Sequence, residues 1–171
     1  MGSLFDGIGG FPLAAQRYGI RPMWASEIEP FPVDVTKLRL PGMIHVGDIT
    51  KLNGADLPPV DVITGGSPCQ DLSVAGARAG LAGSRSGLFM EQTRIVKEMR
   101  HADIQRGRPD VLVRPRFMVW ENVPGAFSSD KGKDFAKIHQ FQHVMKVIPA
   151  KFFPSSFTIH STILGGEYYF L

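Results

Sequence analysis

The sequence predicts an α/β fold in which a parallel-dominated sheet carries helices on both faces. Two observations predict it. Short apolar runs alternate with amphipathic segments along most of the chain, which is how repeated strand–helix–strand units read. Polar and glycine-rich clusters then follow the apolar runs, at Asp6–Gly10, Glu27, Asp48, Ser67–Gln70 and Glu121. Ligands of such sheets bind outside the carboxyl ends of the strands, so five clusters at five strand ends predict one site.

The elements follow in order. Ser3-Leu4-Phe5 reads as a first strand, stopped by Asp6-Gly7-Ile8-Gly9-Gly10. Phe11, Leu13, Ala14, Ala15 and Tyr18 have helical spacing, and Gly19 is a suitable terminator. Pro22–Ser26 is a second strand, and Val33, Val35, Leu38 and Leu40 mark a less regular helix. Ile44-His45-Val46 and Val60–Thr64 give a third and a fourth strand. Residues 66–87 form a long polar loop, a size that points to function inside a compact domain. Leu88, Phe89, Thr93, Ile95, Val96 and Met99 predict a helix, Arg106 to Pro115 a basic connector, and Phe117–Trp120 a buried strand. A further helix is expected at about 134–148.

Composition bounds the function. The 171 residues fit one domain, and 43% apolar with 20% charged is globular rather than disordered. Nineteen glycines and thirteen prolines fall in short clusters without a period, which indicates tight loops. Residues 1–102 carry ten basic and ten acidic side chains, and residues 103–171 nine and six, so the net charge of +3 lies in the last third. That excess permits a polyanionic partner without demanding one. One cysteine excludes an internal disulfide and a cysteine-based zinc site. His139 and His143 are spaced i, i+4, but no Glu lies between them, so no metal is expected. No run reaches a membrane span and no signal pattern opens the chain, so a soluble cytoplasmic protein is the expectation.

Each cluster has a chemical reading and a plainer one. The glycines after Asp6 let a strand turn sharply and let a ligand approach the backbone, or they form an ordinary turn. Glu27 follows Asp6 by twenty-one residues. A carboxylate there can accept from both ribose hydroxyls, which suggests an adenosine-type ligand. Asp48 can accept from an exocyclic amine with Ile49 covering a flat ring, or it caps a turn. Cys69 is a small buried hydrophobe or, on its Pro/Gly loop, an activated nucleophile. Glu121, after Val119-Trp120, is a salt-bridged Glu or a proton donor whose pKa is raised by apolar neighbours.

Five blocks occur in order: Ser3-Leu4-Phe5-Asp6-Gly7-Ile8-Gly9-Gly10-Phe11, Ser26-Glu27-Ile28, Gly47-Asp48-Ile49, Gly66-Ser67-Pro68-Cys69-Gln70-Asp71-Leu72-Ser73, and Trp120-Glu121-Asn122-Val123. Together they resemble the DNA (cytosine-5) methyltransferase family over about residues 3–134. The resemblance implies a Rossmann-like S-adenosyl-L-methionine-dependent methyltransferase domain, joined in the family to a smaller DNA-recognition domain. It implies that Phe5, Asp6, Gly7, Gly9, Gly10 and Pro68 line the cofactor. Glu27 would hold the ribose, Ile28 pack on adenine, and Asp48 accept from the adenine amine with Ile49 beside it. Cys69 would be the nucleophile, Glu121 would hold the base, and Asn122 would support the cysteine loop. Gln70, Ser73, Arg78 and Arg85 would meet the substrate, with the loop 71–87 closing over it. The partner implied is double-stranded DNA with a flipped-out cytosine, in a prokaryotic or phage-infected cell and a restriction-modification setting.

The family's later blocks do not occur. The expected organisation is a cofactor-binding and catalytic domain over 1–135 and an unassigned segment over 136–171, with the target-recognition domain absent. A fragment, completed by a complementing chain, is therefore expected. Two alternatives stay open: a non-catalytic remnant that binds cofactor or DNA, and a tRNA cytosine-5 methyltransferase.

Overall fold

The computed structural model describes residues 1–67 and 87–122, with the backbone of residues 158–159. Five strands run parallel: β1 (Gly2–Leu4), β2 (Trp24–Ser26), β3 (Ile44–His45), β4 (Val62–Gly65) and β5 (Phe117–Asn122). β6 (Thr158–Ile159) pairs antiparallel with β5, Glu121 opposite Ile159 and Asn122 opposite Thr158. The order is β3-β2-β1-β4-β5-β6. Winding reverses between β1 and β4, and such a reversal opens a crevice at the carboxyl ends of the strands.

Among the described residues three helices flank the sheet: α1 (Gly10–Arg17), α2 (Pro30–Arg39) and α3 (Gly87–Gln105). Pro30 begins α2, where its missing N–H costs nothing. α1 stops at Gly19, whose φ of 75° is left-handed and whose amide bonds the Gln16 carbonyl. Short 3-10 turns cover Ile49–Lys51, Gly54–Asp56 and Asp110–Leu112.

Strand alternation divides the core. Trp24 and Ile63 flank Gly2 in register, and with Leu4, two residues further along β1, they meet Ile95, Val96 and Met99 of α3, with Ile49, Leu57 and Val60. Each such burial contributes about 1.5–3 kcal/mol. The Trp24 indole N–H, which burial would otherwise leave unsatisfied, donates to the Pro58 carbonyl at 2.9 Å. On the other face Ala25 packs with Leu13 of α1, Leu40 and Met43. Helices therefore cover both faces, as the alternation predicts.

Several local expectations shift. The first strand is Gly2–Leu4 rather than residues 3–5, because Phe5 leaves it at φ 53°. The face of α2 differs: Leu38 is 85% exposed, and Thr36 is buried in its place. Its hydroxyl donates to the Pro32 and Val33 carbonyls, so its polar atom is satisfied within the helix. Two arginines of the basic connector turn inward. Buried Asp103 accepts from Arg114 Nη2 and from Arg108 Nε, both at 3.0 Å. The expected helix at 134–148 lies outside the described residues.

Candidate functional site

The turn after β1 is held by the strand beside it. The Asp6 amide donates to the Ser26 carbonyl of β2 at 3.1 Å, and the Gly9 amide closes the turn on the Asp6 carbonyl. Gly9 precedes α1 at φ 83°, and a Cβ there would lie 2.8 Å from Thr36 Cγ2, so only glycine fits. Phe5 adopts a left-handed φ that is costly for a bulky side chain, and such strain collects at ligand sites.

Two carboxylates face this turn. Glu27 Oε2 accepts from the Gly7 amide at 2.8 Å, while Oε1 accepts from the Ile28 and Glu29 amides at 2.7 and 3.0 Å. Asp6 is 7% exposed and its Oδ1 has no hydrogen-bond partner. Burial pushes its pKa up to about 6; a hydrogen bond from Ser3 opposes the rise and the Glu27 charge adds to it. A buried carboxylate oxygen without a donor is set up to receive a cationic or N–H-bearing group. Ser3 is itself buried and takes a hydrogen bond from Thr64 at 3.2 Å. A polar residue inside an apolar strand run is the signal that marks it.

The third strand end is a capped turn. Asp48 Oδ1 accepts from the Thr50 amide at 3.0 Å and from its hydroxyl at 2.8 Å, which lowers the Asp48 pKa. Oδ2 lies 3.6 Å from Lys51 Nζ. The capping role is therefore present, and it leaves Oδ2 outside the cap. Ile49 is 3% exposed within the core, where it anchors the turn rather than offering an open face. Ile28, in contrast, is 66% exposed at the end of β2.

β4 and β5 bring a second group together. A Cβ built on Gly66 would fall against Glu121 Oε2, so the carboxyl lies directly on the backbone at the end of β4. Fully buried Gln92 of α3 packs from elsewhere against the same segment, its Nε2 3.5 Å from the Gly65 carbonyl. Trp120 is wedged against Phe89 of α3 with ring centroids 4.7 Å apart. Gly66 precedes Cys69 by three residues, so the Glu121 carboxyl sits at the root of the cysteine loop.

Phe5, Asp6, Gly7, Gly9, Gly10, Glu27, Ile28, Asp48 and Glu121 thus lie at the carboxyl ends of β1, β2, β3 and β5, with β4 between β1 and β5. The backbone of Asn122 completes β5. Pro68, Cys69, Gln70, Ser73, Arg78, Arg85, His139 and His143 lie outside the described residues. Among the described residues no group of His, Cys, Asp and Glu could hold a metal ion. No described helix is long and apolar enough to cross a membrane.

Known proteins are similar in this region. A family model described as C-5 cytosine-specific DNA methylase matches residues 1–144. The DNA N-6-adenine-methyltransferase of Escherichia phage P1 is 39% identical over 75% of this chain and 17% of its own length. The type II methyltransferase M1.ScrFI of Lactococcus lactis subsp. cremoris is 36% identical over 79% of this chain and 31% of its own length. A crystal structure of an Escherichia coli prophage protein described as a DNA modification methyltransferase superposes with a TM-score of 0.61 and 28% identity. It covers 82% of this chain and 36% of that one. The chain therefore spans about a third or less of the length of these relatives.

Proposed function

The chain belongs to the C-5 cytosine-specific DNA methylase family, and on that premise we propose that it supplies the cofactor-binding and catalytic portion of a DNA cytosine-5 methyltransferase. The observation that carries this reading is the Glu121 carboxyl lying on Gly66, at the root of the loop that bears Cys69.

The residues at the β1–β3 ends fit S-adenosyl-L-methionine. The unpartnered Asp6 Oδ1 suits the cationic amino-acid end. Phe5, Gly7, Gly9, Gly10 and Pro68 line the turn around it. Glu27 takes the ribose hydroxyls, exposed Ile28 covers the adenine, and Asp48 Oδ2 accepts its amine, with Ile49 as the buried footing. When bound, the cofactor supplies an activated methyl group on a sulfonium.

The protein's work is on the base. Cytosine C5 is a poor nucleophile, and its C6 face is inaccessible in a duplex, so the base is flipped out. The Cys69 thiolate adds to C6, and the ring electrons shift toward N3 and C5. Glu121 stabilises the charge developing at N3 and holds the exocyclic amine. C5 is thereby made nucleophilic. Once C5 carries its methyl, loss of the C5 proton and departure of the Cys69 sulfur restore the ring. Asn122 supports the cysteine loop, while Gln70, Ser73, Arg78 and Arg85 hold double-stranded DNA around the extruded base. Sequence readout and the remainder of the cofactor pocket are assigned to a complementing chain, and the cytoplasm is the compartment.

The phage P1 relative is named for adenine chemistry, yet the matched stretch is 17% of it. Methylation of an exocyclic amine requires no thiol nucleophile, so the Pro68-Cys69 pair favours the cytosine reading.

Duplex DNA carrying 5-fluorocytosine tests this, because the fluorine blocks release of the adduct. With cofactor present, a covalent protein–DNA species is expected, and Cys69→Ser is expected to abolish it. An adduct that survives Cys69→Ser overturns the mechanism. Methyl transfer to tRNA but not to duplex DNA selects the RNA-directed alternative. A chain that binds no S-adenosylhomocysteine is the non-catalytic remnant.

A further inference from the structure

We propose that Arg94 is a positioning residue for the purine end of the cofactor site, setting adenine recognition through the turn that carries Asp48. The proposal rests on the reading of Asp48 as the acceptor of the adenine amine. Arg94 lies on α3, behind that turn rather than in the site.

Every N–H of its guanidinium is engaged. Nε donates to Glu91 Oε2 at 2.9 Å. Nη1 donates to the Leu52 carbonyl at 2.8 Å and to Glu98 at 3.0 Å. Nη2 donates to the Ile49 carbonyl at 2.9 Å and to Glu91 Oε2 at 2.6 Å. Two carboxylates on the same helix therefore fix the guanidinium plane, and its remaining donors reach the two carbonyls that bracket the 3-10 turn Ile49–Lys51. Glu98 Oε2 also accepts from the Gly54 amide at 2.7 Å, which fastens the next turn to the same group.

The turn needs such an anchor. It is three residues long, and its own backbone bonds are Lys51 N–H to Asp48 at 3.0 Å and Leu52 N–H to Ile49 at 3.3 Å. A single 3-10 turn has little intrinsic stability. Its position also sets the Asp48 carboxyl, because Thr50 holds Oδ1 by both amide and hydroxyl. A displaced turn carries Oδ2 away from the amine. Lysine cannot replace this device, because one ammonium cannot meet two carbonyls and two carboxylates in a plane.

The test compares binding of S-adenosylhomocysteine and S-inosylhomocysteine, in which a keto oxygen replaces the exocyclic amine. The unaltered chain is expected to prefer the adenosyl form by about tenfold or more. Arg94→Met and Arg94→Lys are expected to reduce that preference to about threefold or less. Arg100→Met is the control: Arg100 Nη1 donates to the Val113 and Pro115 carbonyls at 2.9 and 2.6 Å, before β5 and away from the turn. It is expected to lower the melting temperature while leaving the preference intact. If Arg94→Met does not fold, Glu91→Gln keeps the guanidinium but removes one carboxylate, and a smaller loss of preference is expected. A folded Arg94 or Glu91 variant with full preference overturns the proposal, as does an equal loss in Arg100→Met. Asp48→Ala separates the levels: if it retains the preference, or if the unaltered chain binds neither ligand, the reading of Asp48 fails and takes the proposal with it.

Discussion

The Gly7 amide donates to Glu27 Oε2 at 2.8 Å, which ties the turn after β1 to the end of β2. The same carboxylate holds the Ile28 and Glu29 amides. Glu27→Gln keeps the shape but turns an N–H₂ group toward backbone N–H donors. A loss of about 1–2 kcal/mol in stability is expected from urea unfolding. S-adenosylhomocysteine affinity is expected to fall about tenfold or more by calorimetry. Unchanged affinity in a folded Glu27→Gln protein would remove Glu27 from the ribose site.

Asp6 gives the stability a pH dependence. Its folded pKa of about 6 lies above the ordinary 3.8, so the folded chain keeps a proton that the unfolded chain has already lost. Stability therefore falls as pH rises from about 4 to about 6, on the order of 2–3 kcal/mol, and Asp6 adds no further slope above that window. Asp6→Asn is expected to remove this decline and to be more stable at pH 7, while binding S-adenosylhomocysteine more weakly. Denaturant melts at pH 4.5 and 7.5 compare the two proteins. Parallel behaviour at both values would count against a buried, ionisable Asp6.

Gly66→Ala probes the contact between β4 and Glu121. The added methyl would clash with Glu121 Oε2, so the carboxyl is pushed off the strand end. Covalent capture of 5-fluorocytosine DNA is expected to slow by about 10²-fold, the range of a lost transition-state contact. Retained S-adenosylhomocysteine binding would show that the damage is local to the base. Capture at the original rate would mean that the observed Glu121 position is not the working one.

Asp103 is 1% exposed and paired with Arg108 and Arg114. Burial raises its pKa, but hydrogen bonds and charge from Arg114, with Arg108 beside it, outweigh burial and leave the carboxyl below its ordinary range. Its contribution is present above the unfolded carboxylate range and lost as pH falls through the lowered value. Asp103→Asn is expected to cost about 2–3 kcal/mol at pH 7 by urea unfolding, since the two arginines left behind keep access to solvent. A cost under about 1 kcal/mol would show that the pair is dispensable.

Much of this is legible in the sequence because its causes are local. Apolar runs interrupted by glycine and carboxylate mark strand ends, and the alternation of elements dictates a parallel sheet. The face of α2 is not legible. Leu38 fits a helical stripe, but the neighbouring strand β3 has only two residues, and the contact that matters is Thr36 Cγ2 beside Gly9. Arg94 is equally hidden, since an arginine between glutamates on a helix reads as solvent-facing. Its carbonyl partners lie 42 and 45 residues away and leave no mark in the composition. Phe5 carries no sign of its left-handed backbone, because a bulky side chain disfavours a φ of 53°.

The placement of β1 at the middle of the sheet has a kinetic consequence. Its register with β4 joins Ser3 to Thr64, and their side chains bond across a separation of 61 residues. The central ladder cannot form until that long stretch has been brought round, and the entropy of closing it is lost before any contact compensates. Refolding is accordingly expected to be slow for a chain of this size, and until β4 docks, β1 presents one bare edge to whatever strand meets it first.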